Sequence, residues 1–157
     1  ALAVSLLETR GFTQDDFALS HPGGSLGKRL LLQVADLMHT GAQIPVVTEQ
    51  AVIIDALLEM TEKKLGMTAV VDESSKLTGI FTDGDLRRTL AKNVDIHHDQ
   101  IVGVMTRNCT VIKEHILAAE AMRIMEQKKI NALLVVNAGQ HVVGAINMHD
   151  LLRAGLV

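Results

Sequence analysis

The sequence predicts an α/β fold built from two tandem β-α-β-β-α repeats, and three observations support the prediction. The stretch 79–88 returns in outline at 144–153, where each copy has a glycine, a short apolar run, and a polar residue three positions before an aspartate. Upstream of each copy, apolar residues recur at helical spacing. Between that helix and the glycine lies an apolar run typical of a buried strand. An internal repeat of this kind indicates duplicated units that bury their apolar faces against each other.

Each element of the repeat has a counterpart in the second copy. An amphipathic helix in each unit has apolar residues at positions i, i+3, i+4 and i+7, namely Ile53, Ala56, Leu57 and Met60, then Ala118, Ala121, Met122 and Met125. Paired lysines follow both helices and favour their C-termini. The remaining predicted segments are the opening strands 44–48 and 109–112, the buried strands 68–72 and 133–137, and the hairpin turns 73–76 and 138–141. We interpret the methionines as core residues.

A separate segment precedes the repeats. Residues 17–30 form a glycine-rich loop, which leads into a short helix predicted at about 30–38. We therefore divide the chain into an N-terminal piece, 1–33, a first repeat, 34–92, and a second repeat, 93–157. Because the chain begins in a sequence of helical character, we expect it to be a fragment of a longer protein.

The composition argues against several classes of partner. Charged residues make up 21% of the chain and the net charge is −3, which does not suit nucleic acid or an anionic membrane as the main partner. No apolar run has the length of a transmembrane helix, and no signal peptide is evident. The single cysteine, Cys109, excludes an internal disulfide and fits a reducing compartment. Its apolar surroundings favour an inert thiol over a reactive one.

The repeated aspartate motif is the main candidate site. Thr82 stands three residues before Asp85, and Asn147 stands three residues before Asp150. Either pair can form a capping box at the start of a helix. A hydroxyl and a carboxylate beside free backbone N–H groups also suit a phosphate and a ribose. Both interpretations stay open, and asparagine in the second copy weakens a phosphate contact there.

The two units resemble a cystathionine-β-synthase (CBS) domain pair, or Bateman module, over roughly residues 34–157. The resemblance implies that the two repeats pack sheet to sheet. In CBS pairs the aspartate of the motif binds ribose hydroxyls, the preceding Thr or Ser lies near the phosphate, and strand edges of the partner repeat hold the base. The resemblance assigns one site to Thr82, Asp85, Thr110, Asn131 and Ala132, and another to Val47, Met67, Thr68 and Asp150. To these sites we add Arg87 and His149 as candidate phosphate or carboxylate partners, because guanidinium groups in particular suit such anions; the alternative is that they belong to a solvated helix face. We expect a good site at Asp85 and a lesser one at Asp150.

The glycine-rich segment narrows the resemblance further. Together with 36–40, 81–88 and 148–155, residues 17–30 are similar to the family of D-arabinose-5-phosphate isomerases, in which a sugar-isomerase (SIS) domain precedes the CBS pair. Residues 1–33 would then be the tail of the SIS domain. The resemblance implies a cytoplasmic enzyme of a Gram-negative bacterium that interconverts ribulose 5-phosphate and arabinose 5-phosphate for Kdo (3-deoxy-octulosonate) and lipopolysaccharide synthesis.

His21 is the candidate catalytic residue that this resemblance implies. It matches a histidine that the family places in the isomerase active site, reached from a neighbouring subunit, and imidazole titrates in the range useful for proton transfer. The alternative is that His21 caps a loop before Pro22. The sugar-phosphate pocket is absent from this chain, so we do not expect the fragment itself to be catalytic.

Three functions remain open at this point. The pair could be a regulatory sensor of a nucleotide or nucleotide sugar, with CMP-Kdo ranked ahead of AMP or ATP because its carboxylate can meet a cation. It could be a ligand-free assembly module, which dimerises and supports a tetramer of the parent enzyme, or a generic adenine-nucleotide sensor. Arg88 is either a phosphate partner or part of a solvated helix face. No cofactor is expected, and residues 97–99 lack the spacing of a metal site.

Overall fold

The computed structural model describes residues 25–156, and the predicted order of elements is confirmed. The helices are α1 (Ser25–Leu31), α2 (Val34–Leu37), α3 (Ile53–Lys63), α4 (Asp83–Leu90), α5 (Ala118–Lys128) and α6 (Met148–Arg153). The strands are β1 (Val46–Thr48), β2 (Met67–Val71), β3 (Leu77–Thr82), β4 (Thr106–Arg107), β5 (Val111–Ile112), β6 (Ala132–Val136) and β7 (Val142–Asn147). Two short 3-10 helices, Gly41–Gln43 and Ile101–Gly103, precede β1 and β4.

Two sheets carry the repeat. One has the strand order β1-β2-β3-β4 and the other the order β5-β6-β7. In each sheet the opening strand runs parallel to the central strand, which then forms an antiparallel hairpin with the next. Both hairpins have a register shift at the same place, between Val70 and Val71 and between Val135 and Val136. The two units therefore match residue by residue.

The amphipathic helices cover the outer faces of the sheets as their spacing predicted. In α3 the buried residues are Ile53, Ala56 and Met60, while Leu57 is partly buried against the same core. In α5 the buried residues are Ala118, Ala121, Met122 and Met125. Each helix ends at the first lysine of its pair, and the second lysine, Lys64 or Lys129, caps it in the left-handed conformation.

The inner faces of the sheets pack against each other, which confirms the sheet-to-sheet arrangement. Met67, Ala69 and Ile80 of the first sheet share one buried cluster with Leu134 and Ala145 of the second. All five residues of β2 are buried, because alternate side chains contact the other sheet and the helix layer. Strands covered on both faces have continuous apolar sequences, which is why these runs do not alternate.

The opening segment of each repeat crosses to the sheet of the other repeat. β4 pairs with β3, with Thr106 opposite Ile80, and His39 forms an isolated bridge with Ala145 of β7. Both crossings pass close to a glycine of the partner strand. A Cβ atom on Gly79 would lie 2.9 Å from the carbonyl oxygen of Thr106. Glycine at this position is thus required by the close approach of two backbones.

The helix predicted at about 30–38 was wrong in its extent. The structure has α2 in that range, while α1 begins at Ser25, inside the segment 17–30 that was predicted as a loop, so the loop prediction was also wrong from Ser25 onward; Leu32 and Gln33 separate the two helices. Gln33 forms a bridge with Leu117, and the carbonyl of Leu32 accepts a hydrogen bond of 2.8 Å from the N–H of Ala118. The backbone groups of this segment bond to the start of α5, so they are not free to continue a helix.

We predict that Gly79→Ala lowers the melting temperature by several degrees, whereas Gly103→Ala leaves it nearly unchanged. The new methyl group at position 79 overlaps the Thr106 backbone, and overpacking of this kind costs about 1–3 kcal/mol. An added Cβ at Gly103 meets no atom within 4 Å, so this variant is the matched control. Circular dichroism melts of both variants would test this, and equal melting temperatures would contradict the close approach.

Candidate functional site

A solvent-open cleft lies where the two repeats meet, beside the start of α4. Its volume is about 540 Å³. The first repeat contributes Leu65, Gly66, Ile80, Thr82, Asp83, Gly84, Asp85, Arg87 and Arg88, and the second contributes Thr106, Asn108, Cys109, Thr110, Lys129, Ile130, Asn131 and Ala132. The structure thus brings together all the residues that the sequence assigned to the Asp85 site.

A capping box holds the first turn of α4. The Asp85 backbone N–H donates to the Thr82 hydroxyl at 3.2 Å, and the Thr82 backbone N–H donates to Asp85 Oδ2 at 2.9 Å. The Thr82 hydroxyl also donates to Asp85 Oδ2, at 3.1 Å. The capping interpretation of this motif is therefore confirmed, and only 4% of Asp85 is exposed to solvent.

The second carboxylate oxygen of Asp85 is also occupied. Asp85 Oδ1 accepts a hydrogen bond of 2.7 Å from the Thr106 hydroxyl, across the boundary between the repeats. It accepts another from the Arg88 guanidinium, whose side chain is 67% exposed. All the contacts of this carboxylate are thus made within the chain, and the exposed arginine is the donor most easily displaced.

The wall of the cleft carries an excess of positive charge. The cations Arg87, Arg88 and Lys129 line the cleft together with the carboxylates Asp83 and Asp85, so the formal charge of these five groups is +1. The amide and hydroxyl side chains of Asn108, Asn131 and Thr110 lie on the side contributed by the second repeat. The cleft therefore combines cations that suit an anionic group with polar and apolar side chains that suit a ring.

The equivalent position in the second repeat has a different neighbour. Asn147 and Asp150 form a capping box at α6, so the second motif also caps its helix. Asp150 Oδ1 accepts a hydrogen bond of 2.9 Å from His39 Nε2 and a longer one, at 3.3 Å, from Arg153. His39 stands where the first cleft has Thr106.

The other residues assigned to the Asp150 site lie in different environments. Met67 and Thr68 are fully buried in β2, and the Thr68 hydroxyl donates to the neighbouring Ala69 carbonyl. Val47 is half-buried in the edge strand β1. His149 is exposed on α6. Because Met67 and Thr68 have no exposed surface, the structure does not present either residue to a ligand.

Sequence reasoning missed Thr106 and Lys129, which line the cleft, and His39, which contacts the second aspartate. A signal for two of them was available, because aligning 36–40 with 103–107 places His39 opposite Thr106. The alignment could not show that each segment crosses to the aspartate of the other repeat. Lys129 was assigned only to a helix end.

Other kinds of site are limited within the described part of the chain. In residues 25–156 no cluster of three or more His, Cys, Asp or Glu side chains could hold a metal ion. His98 instead pairs with Asp95 at 2.7 Å, on the surface. No helix within the same range is both long and apolar enough to cross a membrane. His21 lies outside the described residues.

Comparison with known families agrees with this architecture. The model of the CBS domain matches residues 34–92 and again residues 100–157. The chain belongs to the CBS domain family. The two matched CBS domains contain the two sheets described above, and the cleft lies between them.

Several relatives of this CBS pair are arabinose 5-phosphate isomerases. The chain is 57% identical over its whole length to the arabinose 5-phosphate isomerase KdsD of Pseudomonas aeruginosa and 52% identical to that of Escherichia coli K12. In both cases it covers 48% of the relative. The chain thus spans about half the length of the curated relatives it matches.

Solved CBS structures share the fold. CBSX2 of Arabidopsis thaliana, solved in complex with AMP, is 25% identical with a TM-score of 0.67, over 80% of this chain and 96% of that one. The CBS pair of protein MJ0100, in complex with 5′-methylthioadenosine and S-adenosyl-L-methionine, is 25% identical with a TM-score of 0.70. That match covers 78% of this chain and 94% of the other.

The thiol in the cleft gives a pH-dependent prediction. Burial raises the pKa of Cys109 above its ordinary value, because a desolvated thiolate is disfavoured. We expect iodoacetamide to alkylate Cys109 more slowly than it alkylates glutathione at about pH 8, with a rate that continues to rise at higher pH after glutathione has levelled off. Mass spectrometry of the single cysteine would follow the reaction. Alkylation as fast as that of glutathione would contradict the shift.

Proposed function

We propose that this CBS pair is a regulatory module that binds a nucleotide or nucleotide sugar in the cleft between its repeats. The observation that carries the proposal is the juxtaposition of the buried Asp85 carboxylate with three cations in one open cleft. A structural cap alone explains Thr82 and Asp85 but does not require a cleft or the facing cations. The AMP and S-adenosyl-L-methionine complexes of similar CBS proteins support the same ligand class for this chain.

The hydrogen bonds of Asp85 suggest how a ligand enters. A ribose hydroxyl takes the place of Arg88 on Asp85 Oδ1, while the buried bonds from Thr82 and Thr106 remain. The released Arg88 guanidinium then lies next to Arg87, and both can bind the phosphate that follows the ribose. In this arrangement Arg88 is both a solvated helix residue and a phosphate partner.

The base belongs on the side of the cleft contributed by the second repeat. Thr110, Asn131 and Ala132 line this side, and the apolar residues Ile80 and Ile130 lie nearby in the cleft. The Asn131 carbonyl already accepts a bond of 2.8 Å from the Met148 N–H. The exposed Asn131 side chain is therefore the more accessible group for reading a base edge.

Among ligands of this class we rank CMP-Kdo ahead of AMP and ATP. All three offer a ribose and a phosphate, but CMP-Kdo adds a sugar carboxylate. Lys129, on the opposite wall from the arginines, is available in the described structure for such a second anionic group. An end product of this kind would suit feedback control, and no cofactor is required for it.

For the whole protein we propose arabinose 5-phosphate isomerase activity in the cytoplasm of a Gram-negative bacterium, serving Kdo and lipopolysaccharide synthesis. Identities of 52–57% to curated isomerases over the complete chain support this. In this proposal residues 1–33 belong to a SIS domain, and His21 moves a proton between adjacent sugar carbons. The CBS pair by itself does not isomerise the sugar.

An assembly role is the second candidate, and exposed apolar side chains favour it. Leu58, Leu90, Leu117 and Leu152 are 43–62% exposed on or beside helices. Burying such residues between two copies would yield a dimer of CBS pairs, which could support a tetramer of the parent. A strictly monomeric chain by light scattering at tens of micromolar would exclude this candidate.

We predict that Asp85→Ala weakens ligand binding at least tenfold, while Asp150→Ala has a smaller effect. Each ribose hydrogen bond to a carboxylate contributes about 1.5–3 kcal/mol. Thermal shift and titration calorimetry with CMP-Kdo, AMP and ATP would test both variants. If the same ligand protects Cys109 from alkylation by iodoacetamide, the ligand binds in the cleft, because the Cys109 thiol lines the cleft wall.

The outcomes of this test are distinct. Equal losses from the two substitutions would contradict the asymmetry between the sites. If no cytidine or adenine nucleotide binds at millimolar concentration, the sensor proposal fails and assembly becomes the function. A preference for AMP over CMP-Kdo would favour the generic adenine-nucleotide sensor.

We predict that His21→Ala in the intact enzyme lowers turnover by about two to four powers of ten, as loss of a general acid–base group does. Stability should change little, so a melting curve serves as the control. Steady-state assays with arabinose 5-phosphate would give the rate. Near-normal turnover would return His21 to the loop-cap interpretation.

A further inference from the structure

The two aspartates of the repeat have donors of different size on the same oxygen. In the first cleft Asp85 Oδ1 accepts from the Thr106 hydroxyl at 2.7 Å. At the equivalent position Asp150 Oδ1 accepts from the imidazole Nε2 of His39 at 2.9 Å. A hydroxyl group is small and rotates freely, whereas an imidazole ring fills the space beside the carboxylate. The donor alone therefore distinguishes the two positions sterically.

The backbone of His39 is held firmly in place. Its N–H donates to the Ala145 carbonyl at 2.8 Å, and its carbonyl accepts from the Ala145 N–H at 3.0 Å. Ala145 is fully buried between the sheets. The imidazole is only 25% exposed, and Nε2 donates to Asp150 even in the neutral tautomer that carries its proton there. The contact therefore does not depend on a charged histidine.

Three other positions also differ. Arg87 of the first cleft corresponds to Leu152, Asp83 corresponds to Met148, and the Thr82 hydroxyl corresponds to the Asn147 amide. The second position thus has one cation and one carboxylate fewer, so the formal charge is the same at both positions. The cap of the second position lacks a hydroxyl, and the imidazole of His39 lies beside its carboxylate.

We propose that His39 is an internal occupant of the second site, which closes it to ligand and leaves the Asp85 cleft as the single binding site of the pair. The inference rests on the proposed function, since it names the residue that determines how many ligands bind. The imidazole contacts Asp150 Oδ1 from the place that Thr106 has at Asp85, and its larger ring takes up space beside the carboxylate that the threonine leaves to a ribose. Residue 39 thus determines whether the second site can bind a ligand.

Exchanging the two donors, His39 and Thr106, tests the proposal. His39→Thr gives the second site the donor of the first, and Thr106→His gives the first site the donor of the second. Calorimetry with AMP and CMP-Kdo should show the stoichiometry rising from about one ligand per wild-type chain to about two in H39T. In T106H the affinity should fall by about tenfold or more. H39Q keeps an N–H donor and is expected to stay near one.

The exchange of both residues gives the sharpest readout. In the H39T/T106H variant, binding should become sensitive to Asp150→Ala and insensitive to Asp85→Ala. Circular dichroism confirms folding, and H39A replaces H39T if the threonine variant does not fold. Two equal sites in the wild type, or one site in both H39T and H39A, would overturn the role of His39. Absence of binding by the wild type would instead refute the proposed function itself.

Discussion

The apolar contact between the two sheets is the constraint on which the rest of this structure depends. Each repeat has about 60 residues, a size at which a single sheet and its helices bury too little surface to be comfortably stable alone. Met67 and Ala69 on one sheet and Leu134 and Ala145 on the other are fully buried only because the second repeat is present. Neither sheet would be stable with this apolar face exposed to water. The pair, rather than the repeat, is the folding unit.

The same contact creates the cleft. With the sheets face to face, the opening segment of each repeat crosses the other sheet, where Gly79 and Gly144 leave room for Met105 and Met38. That crossing delivers Thr106 to Asp85 and His39 to Asp150. Packing and chemistry are therefore coupled, since the residues that complete each carboxylate come from the opposite repeat.

In the binding mode that we propose, Asp85 serves both stability and recognition. A buried carboxylate must be compensated by hydrogen bonds, and Asp85 receives them from Thr82, Thr106 and Arg88. A ligand hydroxyl can replace one of these donors. The buried carboxylate still needs the remaining hydrogen bonds, because without them it would not be stable in the folded protein. The exposed arginine makes this exchange inexpensive in free energy, because its guanidinium remains hydrated when it leaves. In the second repeat Arg153 corresponds to Arg88, but the donor that corresponds to Thr106 is the partly buried imidazole of His39.

The sequence by itself determined the repeat, its order of strands and helices, the buried faces of α3 and α5, and the capping boxes at Thr82 and Asn147. These features are local or periodic, so adjacent residues contain the information. Tertiary structure alone decided that residues 30–38 divide into two helices, because their backbone bonds to α5. It also decided that His39 meets Asp150, more than a hundred residues along the chain. Side chains so far apart in sequence are brought together only by the packing of one sheet on the other.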